Sequence, residues 1–115
     1  MATNNEIITL VLQKVDVLME GETSTDISAD DLSTMQDVLS KRVEFLREHN
    51  AAWWDDDSVP ESAADSLADY LTYYCVIIPK SERMAFRGDS VEGFRQLVDL
   101  GAMQSSDEPI QADYF

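Results

Sequence analysis

The chain has 115 residues, 44% of them hydrophobic, with four glycines, three prolines and one cysteine, and 23 acids against eight bases give a net charge of −15. That length fits one ordinary domain with a modest core, and the low glycine and proline content argues against a disordered chain. A single cysteine excludes an internal disulfide framework, and so acidic a chain is poorly suited to gripping a phosphate backbone, which needs lysines and arginines to displace counterions.

The first six residues lack the basic start of a signal peptide. The longest apolar run, Cys75 to Ile78, is far below the roughly 20 residues of a membrane span. Both features point to a soluble chain in cytoplasm-like surroundings with no membrane partner.

A first helix is expected over about residues 5–20, with Asn5 as N-cap and Gly21 as stop. Ile8, Leu12, Val15 and Leu18 or Met19 recur at helical spacing, and Ile7, Val11 and Val17 widen the apolar face. A polar loop follows to Ile27. Ser28 then opens a second helix reaching about His49, in a capping-box pattern with Asp31 in place of glutamate. Leu32, Met35, Leu39, Val43 and Leu46 mark its buried stripe, with Val38 and Phe45 on the flanks. Asn50 suits the left-handed residue that ends such a helix.

A loop of two tryptophans and three aspartates spans residues 51–59. Asp57 or Ser58 is expected to cap the third helix, with Pro60 in its first turn. Ala64, Leu67, Ala68, Leu71, Tyr74, Cys75 and Ile78 form its apolar face, and Pro79 stops it. The alanines permit close approach, which makes this helix the central packing element. The last helical region runs from Lys80 to about Leu100 on the pattern Met84, Val91, Phe94, Leu97 and Val98. Gly88 falls on the buried side of that pattern and suggests close packing there. A break over residues 87–90, dividing two shorter helices, is the competing reading. Past Gly101 the chain turns polar and ends in the alternating stretch Ile110, Gln111, Ala112, Asp113, Tyr114 and Phe115.

Catalytic signals are weak. Asp55, Asp56 and Asp57 are consecutive and lack the alternate spacing of a calcium loop, so capping and solvation explain them better than a metal. Cys75 and His49 are the sole candidates for a thiol–imidazole pair, and Cys75 sits in an apolar helix where its thiol would be inert. No glycine-rich phosphate loop is present and no cofactor is implied, so the chain reads as a non-enzyme. Lys80, Arg83 and Arg87 form a basic stripe that either makes surface ion pairs or meets a neighbouring subunit's acidic face, such as Asp65 and Asp69. Trp53, Trp54, Tyr70, Tyr73 and Tyr74 are ordinary core residues or anchors of a protein contact, where tryptophan and tyrosine are enriched. Tyr70 and Tyr74 share a helical face, with Tyr73 turned aside.

The loop at Trp54, then Val59-Pro60, then a helix of the form Leu67-Ala68-x-x-Leu71 ending in Ile77-Ile78-Pro79, resembles the head-to-tail adaptor proteins of tailed bacteriophages, also called head-completion or packaged-DNA-stabilisation proteins. The likeness covers residues 28–100 as a helical order, and Asp113-Tyr114-Phe115 adds to it. It differs at Ile78-Pro79-Lys80-Ser81, where members often carry Ala-Pro before an acidic or aromatic residue, and in the short stretch after Gly101. The resemblance implies an all-α bundle of four to five helices over residues 1–101 and an extended C-terminal docking tail over 102–115. It implies a virion protein of the head–tail junction, assembled in the host cytoplasm as a homo-oligomeric ring of twelve copies. Its partners would be the phage portal protein and a tail or nozzle protein. Ile110, Gln111, Ala112, Asp113, Tyr114 and Phe115 would dock on the portal. Trp53, Trp54, Tyr73, Lys80, Arg83 and Arg87 would serve a subunit or tail interface. DNA would pass an acidic lumen without specific binding, repelled over about a Debye length.

The rival reading is an acidic inhibitor that imitates DNA, such as an anti-CRISPR or anti-restriction protein. It would carry carboxylates at phosphate-like intervals on one face, whereas the acids here are spread over all the helices. An unrelated helical regulatory module is the third reading.

Overall fold

The structure, a computed structural model, describes residues 1–19, 21–55 and 57–106. The protein is all-α: α1 (Asn4–Lys14), α2 (Ala29–Glu48), α3 (Glu61–Thr72), the one-turn α4 (Lys80–Arg83) and α5 (Arg87–Ser106). Single 3₁₀ turns occupy Ser24–Asp26 and Met84–Phe86. No strand occurs among the described residues, only one antiparallel bridge between Ala2 and Val59. Residues 107–115, and with them the expected docking residues Ile110, Gln111, Ala112, Asp113, Tyr114 and Phe115, lie outside the described part.

Helix α1 begins and ends differently from expectation. Thr3 rather than Asn5 is its N-cap: the Thr3 side chain accepts from the Glu6 amide, and the Glu6 carboxylate accepts from the Thr3 amide, a complete capping box. Those bonds hold the Glu6 carboxyl below its usual range, the Thr3 amide contributing most. The helix stops at Lys14 because Asp16 adopts a left-handed conformation, φ 64°. The Asp16 amide then reaches the Gln13 carbonyl and the Val17 amide reaches the Leu12 carbonyl, a Schellman ending with aspartate where glycine is usual. Of the alternatives Leu18 and Met19 for the stripe, Leu18 is the buried one and Met19 is 75% exposed.

Helix α2 follows its local signals. Ser28 accepts from the Asp31 amide at the N-terminus. At the other end Asn50 sits at φ 59°, with its amide on the Arg47 carbonyl and the Ala51 amide on that of Leu46.

Helix α3 is shorter than expected: it ends at Thr72, not at Pro79. Tyr73, Tyr74, Val76, Ile77 and Ile78 are aromatic or β-branched, and these and Cys75 have low helix propensity. Three-residue turns replace the helix there, with Tyr74 bonding Leu71, Cys75 bonding Thr72 and Ile78 bonding Cys75. The break in the last helical region falls at Met84–Phe86, before residues 87–90, and α5 then continues through Gly101 to Ser106 instead of ending near Leu100.

The core collects Ile7, Ile8, Val11 and Leu12 from α1, Met35, Leu39 and Leu46 from α2, Ala63, Leu67, Ala68 and Leu71 from α3, and Leu97 from α5. Helix α3 packs on both α1 and α5, the central place its alanines suggest. Close approach to α5 is made by Gly93, not Gly88. A Cβ on Gly93 would stand 2.6 Å from the Ser66 carbonyl oxygen and 2.7 Å from the Tyr70 nitrogen, whereas one on Gly88 meets nothing within 4 Å. Two hydrogen bonds flank that contact. Ser66 donates to the Gln96 side chain at 2.8 Å, and buried Ser90 donates to the Tyr70 carbonyl at 2.7 Å.

Candidate functional site

The loop between α2 and α3 closes the fold. Val59 pairs with Ala2 through both backbone bonds, 2.8 and 2.9 Å. Asp57, itself left-handed at φ 61°, accepts from the Asn4 amide at 2.7 Å. Asp57 therefore caps α1, while α3 starts at Pro60 with no side-chain cap. This corrects the expectation that Asp57 or Ser58 caps the third helix. Asp57→Ala removes a carboxylate from a helix N-terminus and strands an amide. It is expected to cost about 1–2 kcal/mol, read as a lower urea midpoint with unchanged slope.

Trp54 is only 7% exposed and lies in the core, its carbonyl accepting from Arg47 at 3.1 Å. Trp53 is half-buried, edge-on to Trp54 with ring centroids 5.0 Å apart, and close to Gly101 of α5. The paired indoles are thus accommodated within one chain, the surface area left for a partner belonging to Trp53.

A second aromatic group occupies the meeting of α2, α3 and α5. Phe45, Tyr70, Tyr74, Ser90, Val91 and Phe94 line an open groove of about 230 Å³. Its rings form a continuous ladder: Phe45 to Phe94 at 6.3 Å, Phe94 to Tyr70 at 5.8 Å, Tyr70 to Tyr74 at 5.2 Å and Tyr74 to Tyr73 at 5.4 Å. His49 stacks on Phe45 at 4.2 Å. The Arg42 guanidinium lies 4.6 Å from the Tyr74 ring and 5.0 Å from that of Phe45, and donates to the Tyr70 hydroxyl. Burial, then the neighbouring Tyr74, pushes the Tyr70 hydroxyl up to about 12. Val91 and Met84, placed in the buried stripe by periodicity, are 63% and 46% exposed. The Tyr73 hydroxyl lies 3.9 Å from the Met84 sulfur, which carries the apolar surface from the groove towards the start of α5.

Seven of the eight basic side chains divide into two sets. Lys14 bridges Asp65 and Asp69 at 2.9 and 3.0 Å, Lys41 pairs with Asp37, and Arg95 with Glu92 and Asp99. Burial lowers the Lys14 pKa, but its two carboxylate bonds outweigh that and raise it. Asp65 and Asp69 are therefore engaged within their own chain rather than left for a neighbour's basic stripe. Arg42, Lys80, Arg83 and Arg87 form no ion pair among the described residues. Arg87 stands one helical turn before Val91, so the end of the basic stripe adjoins the groove. Arg83 also keeps a buried Nε without a hydrogen-bond partner.

Cys75 and His49 do not form a reactive pair. Cys75 is fully buried, and burial pushes its thiol up to about 11 against the opposing pull of the Ile77 amide and Arg83; the His49 Nδ1 lies 2.9 Å from the Phe45 carbonyl oxygen. Both Cys75 and Tyr70 are held neutral in the fold above their ordinary values of 9.0 and 10.0. Their contribution to stability is complete below about pH 9 and is lost as pH rises towards 11 and 12, because the unfolded chain ionises first. Urea midpoints should therefore fall from pH 9 to 11, and a thiol reagent should label Cys75 only as the chain unfolds. Among the described residues no group of three potential ligands could hold a metal ion, and no helix is long and apolar enough to cross a membrane.

Sequence reasoning found Tyr70, Tyr73, Tyr74 and the three stripe cations but missed Phe45, Phe94, Val91 and Arg42 as one surface. Phe45 is legible on a flank of the second helix and Val91 and Phe94 in the stripe of the last; that they share a surface depends on how three helices meet. No family model, curated protein or solved structure matches the chain.

Proposed function

We propose that this protein is a non-enzymatic assembly subunit that works through the aromatic and basic face formed by the groove, Tyr73, Met84, Lys80, Arg83 and Arg87. The observation that carries this reading is the segregation of charge. In a chain with 23 acids and eight bases, Arg42, Lys80, Arg83 and Arg87 form no ion pair among the described residues, and Arg42 and Arg87 adjoin an open aromatic groove. Aromatic and arginine side chains with exposed apolar neighbours are the composition of protein contact sites. The remaining acidic surface disfavours random association with other acidic bodies, nucleic acid included.

The assembly that suits these features is the head-to-tail adaptor ring suggested by residues 54–79. Equal subunits would contact through unlike faces and close a ring of twelve under a portal protein, with a tail or nozzle protein on the other side. An acidic lumen would let DNA pass without adhering. Mass by light scattering, alone and with an isolated portal ring, tests this. The expected result is a portal complex carrying about one copy per portal subunit. A protein that ignores the portal and instead blocks the DNA groove of a nuclease as a monomer would overturn it in favour of the DNA-imitating inhibitor.

A further inference from the structure

We propose that the aromatic groove of one copy receives the segment 107–115 of a second copy, an inference that rests on reading this face as the docking surface. The segment has the complementary chemistry. Asp107, Glu108 and Asp113 supply three carboxylates and no base, while Ile110, Tyr114 and Phe115 supply apolar and aromatic groups. The face offers the converse: Arg87, one helical turn from the exposed Val91, and Arg42, over the Phe45 and Tyr74 rings, form no ion pair among the described residues. Two bodies of charge −15 repel one another over most of their surfaces. A contact between copies therefore has to be made where cations remain unneutralised.

The placement of the acids favours a second copy over the segment's own chain. At about 1.5 Å per helical residue, Val91 lies roughly 22 Å and Arg87 roughly 28 Å back along α5 from Ser106. Extended backbone advances about 3.3 Å per residue, so Tyr114 of the same chain reaches roughly 26 Å from Ser106. Phe115, at roughly 30 Å, also reaches Val91, and Phe94 at roughly 18 Å, but only with the segment doubled back along its own helix. Asp107 and Glu108 of the same chain stay at the far end of α5, away from the stripe. A segment from a second copy has no such tether and brings acids and aromatics to the face together. The contact joins unlike surfaces, the type that closes into a ring when the rotation permits.

The test uses full-length chains. A labelled peptide of residues 107–115 is titrated by fluorescence anisotropy into the Tyr114→Ala, Phe115→Ala double variant, whose groove is intact. Saturable binding is expected, weakened at least tenfold by Val91→Asp and by Arg87→Glu. The double variant is also mixed with Val91→Asp, whose segment is intact. Mass measurement should show a one-to-one dimer that grows no further. Absence of saturable peptide binding, or binding within twofold in the groove variants, would overturn the proposal. Peptide binding with a mixture that stays monomeric above the peptide Kd would also overturn it, since the groove would then serve its own chain. If the peptide fails while Val91→Asp still disrupts the portal complex, this inference falls alone. The docking-face reading falls when Val91→Asp leaves portal binding intact.

Discussion

Trp54→Ala should lower the unfolding free energy by about 3–5 kcal/mol, the usual cost of deleting a large buried aromatic. The indole is 7% exposed, packs edge-on against Trp53 and belongs to the loop that holds α1 to α3 through Ala2 and Val59. Domains of this size are stable by roughly 5–15 kcal/mol, so the variant could lose much of its margin. Trp53→Ala should cost less, because half-buried Trp53 already meets water. Urea denaturation of both variants checks this ordering. Equal and small losses would mean that Trp54 does not support the monomer and belongs to an interface instead.

Gly93→Ala and Gly88→Ala should change stability in opposite directions. At Gly93 the added methyl would lie under 3 Å from two backbone atoms of α3, and neither can move aside without shifting the helix. Overpacking of this kind costs about 1–3 kcal/mol or more. Separation of α3 from α5 would also strain the Ser66–Gln96 and Ser90–Tyr70 bonds on either side. Gly88 has open space around its missing Cβ, so alanine there should gain up to about 1 kcal/mol in helix propensity. Thermal melting of the pair decides it, and two shifts of the same sign would contradict the α3–α5 contact described above.

The contrast between those glycines shows where linear reasoning reaches its limit. Signals acting within one or two turns were legible: Ser28 opens α2, Asn50 closes it and Pro60 leads α3. The end of α1 was not, because Asp16 takes the left-handed role that glycine usually holds and the apolar pattern runs on past it. The sequence assigns Asp57, with Ser58 as the alternative, to the start of the third helix, whereas its partner is the Asn4 amide 53 positions away, where no local pattern points. Val91 fits the helical stripe of α5 by spacing, yet the buried line of that helix runs through Ser90, Gly93, Leu97 and Gly101, and Val91 falls to one side of it and stays exposed. The groove combines three helices and one cation from α2, so its parts were visible singly and its unity was not.

Assembly through the aromatic and basic face is the central claim, and Val91→Asp tests it most directly. Val91 is 63% exposed, so the substitution should leave the melting temperature within a degree or two while placing a carboxylate at the groove's edge. Light scattering of wild type and variant with a portal ring should show a stoichiometric complex for the wild type and none for the variant at the same concentration. A variant that melts like the wild type and still loads the portal to the same stoichiometry would contradict the claim.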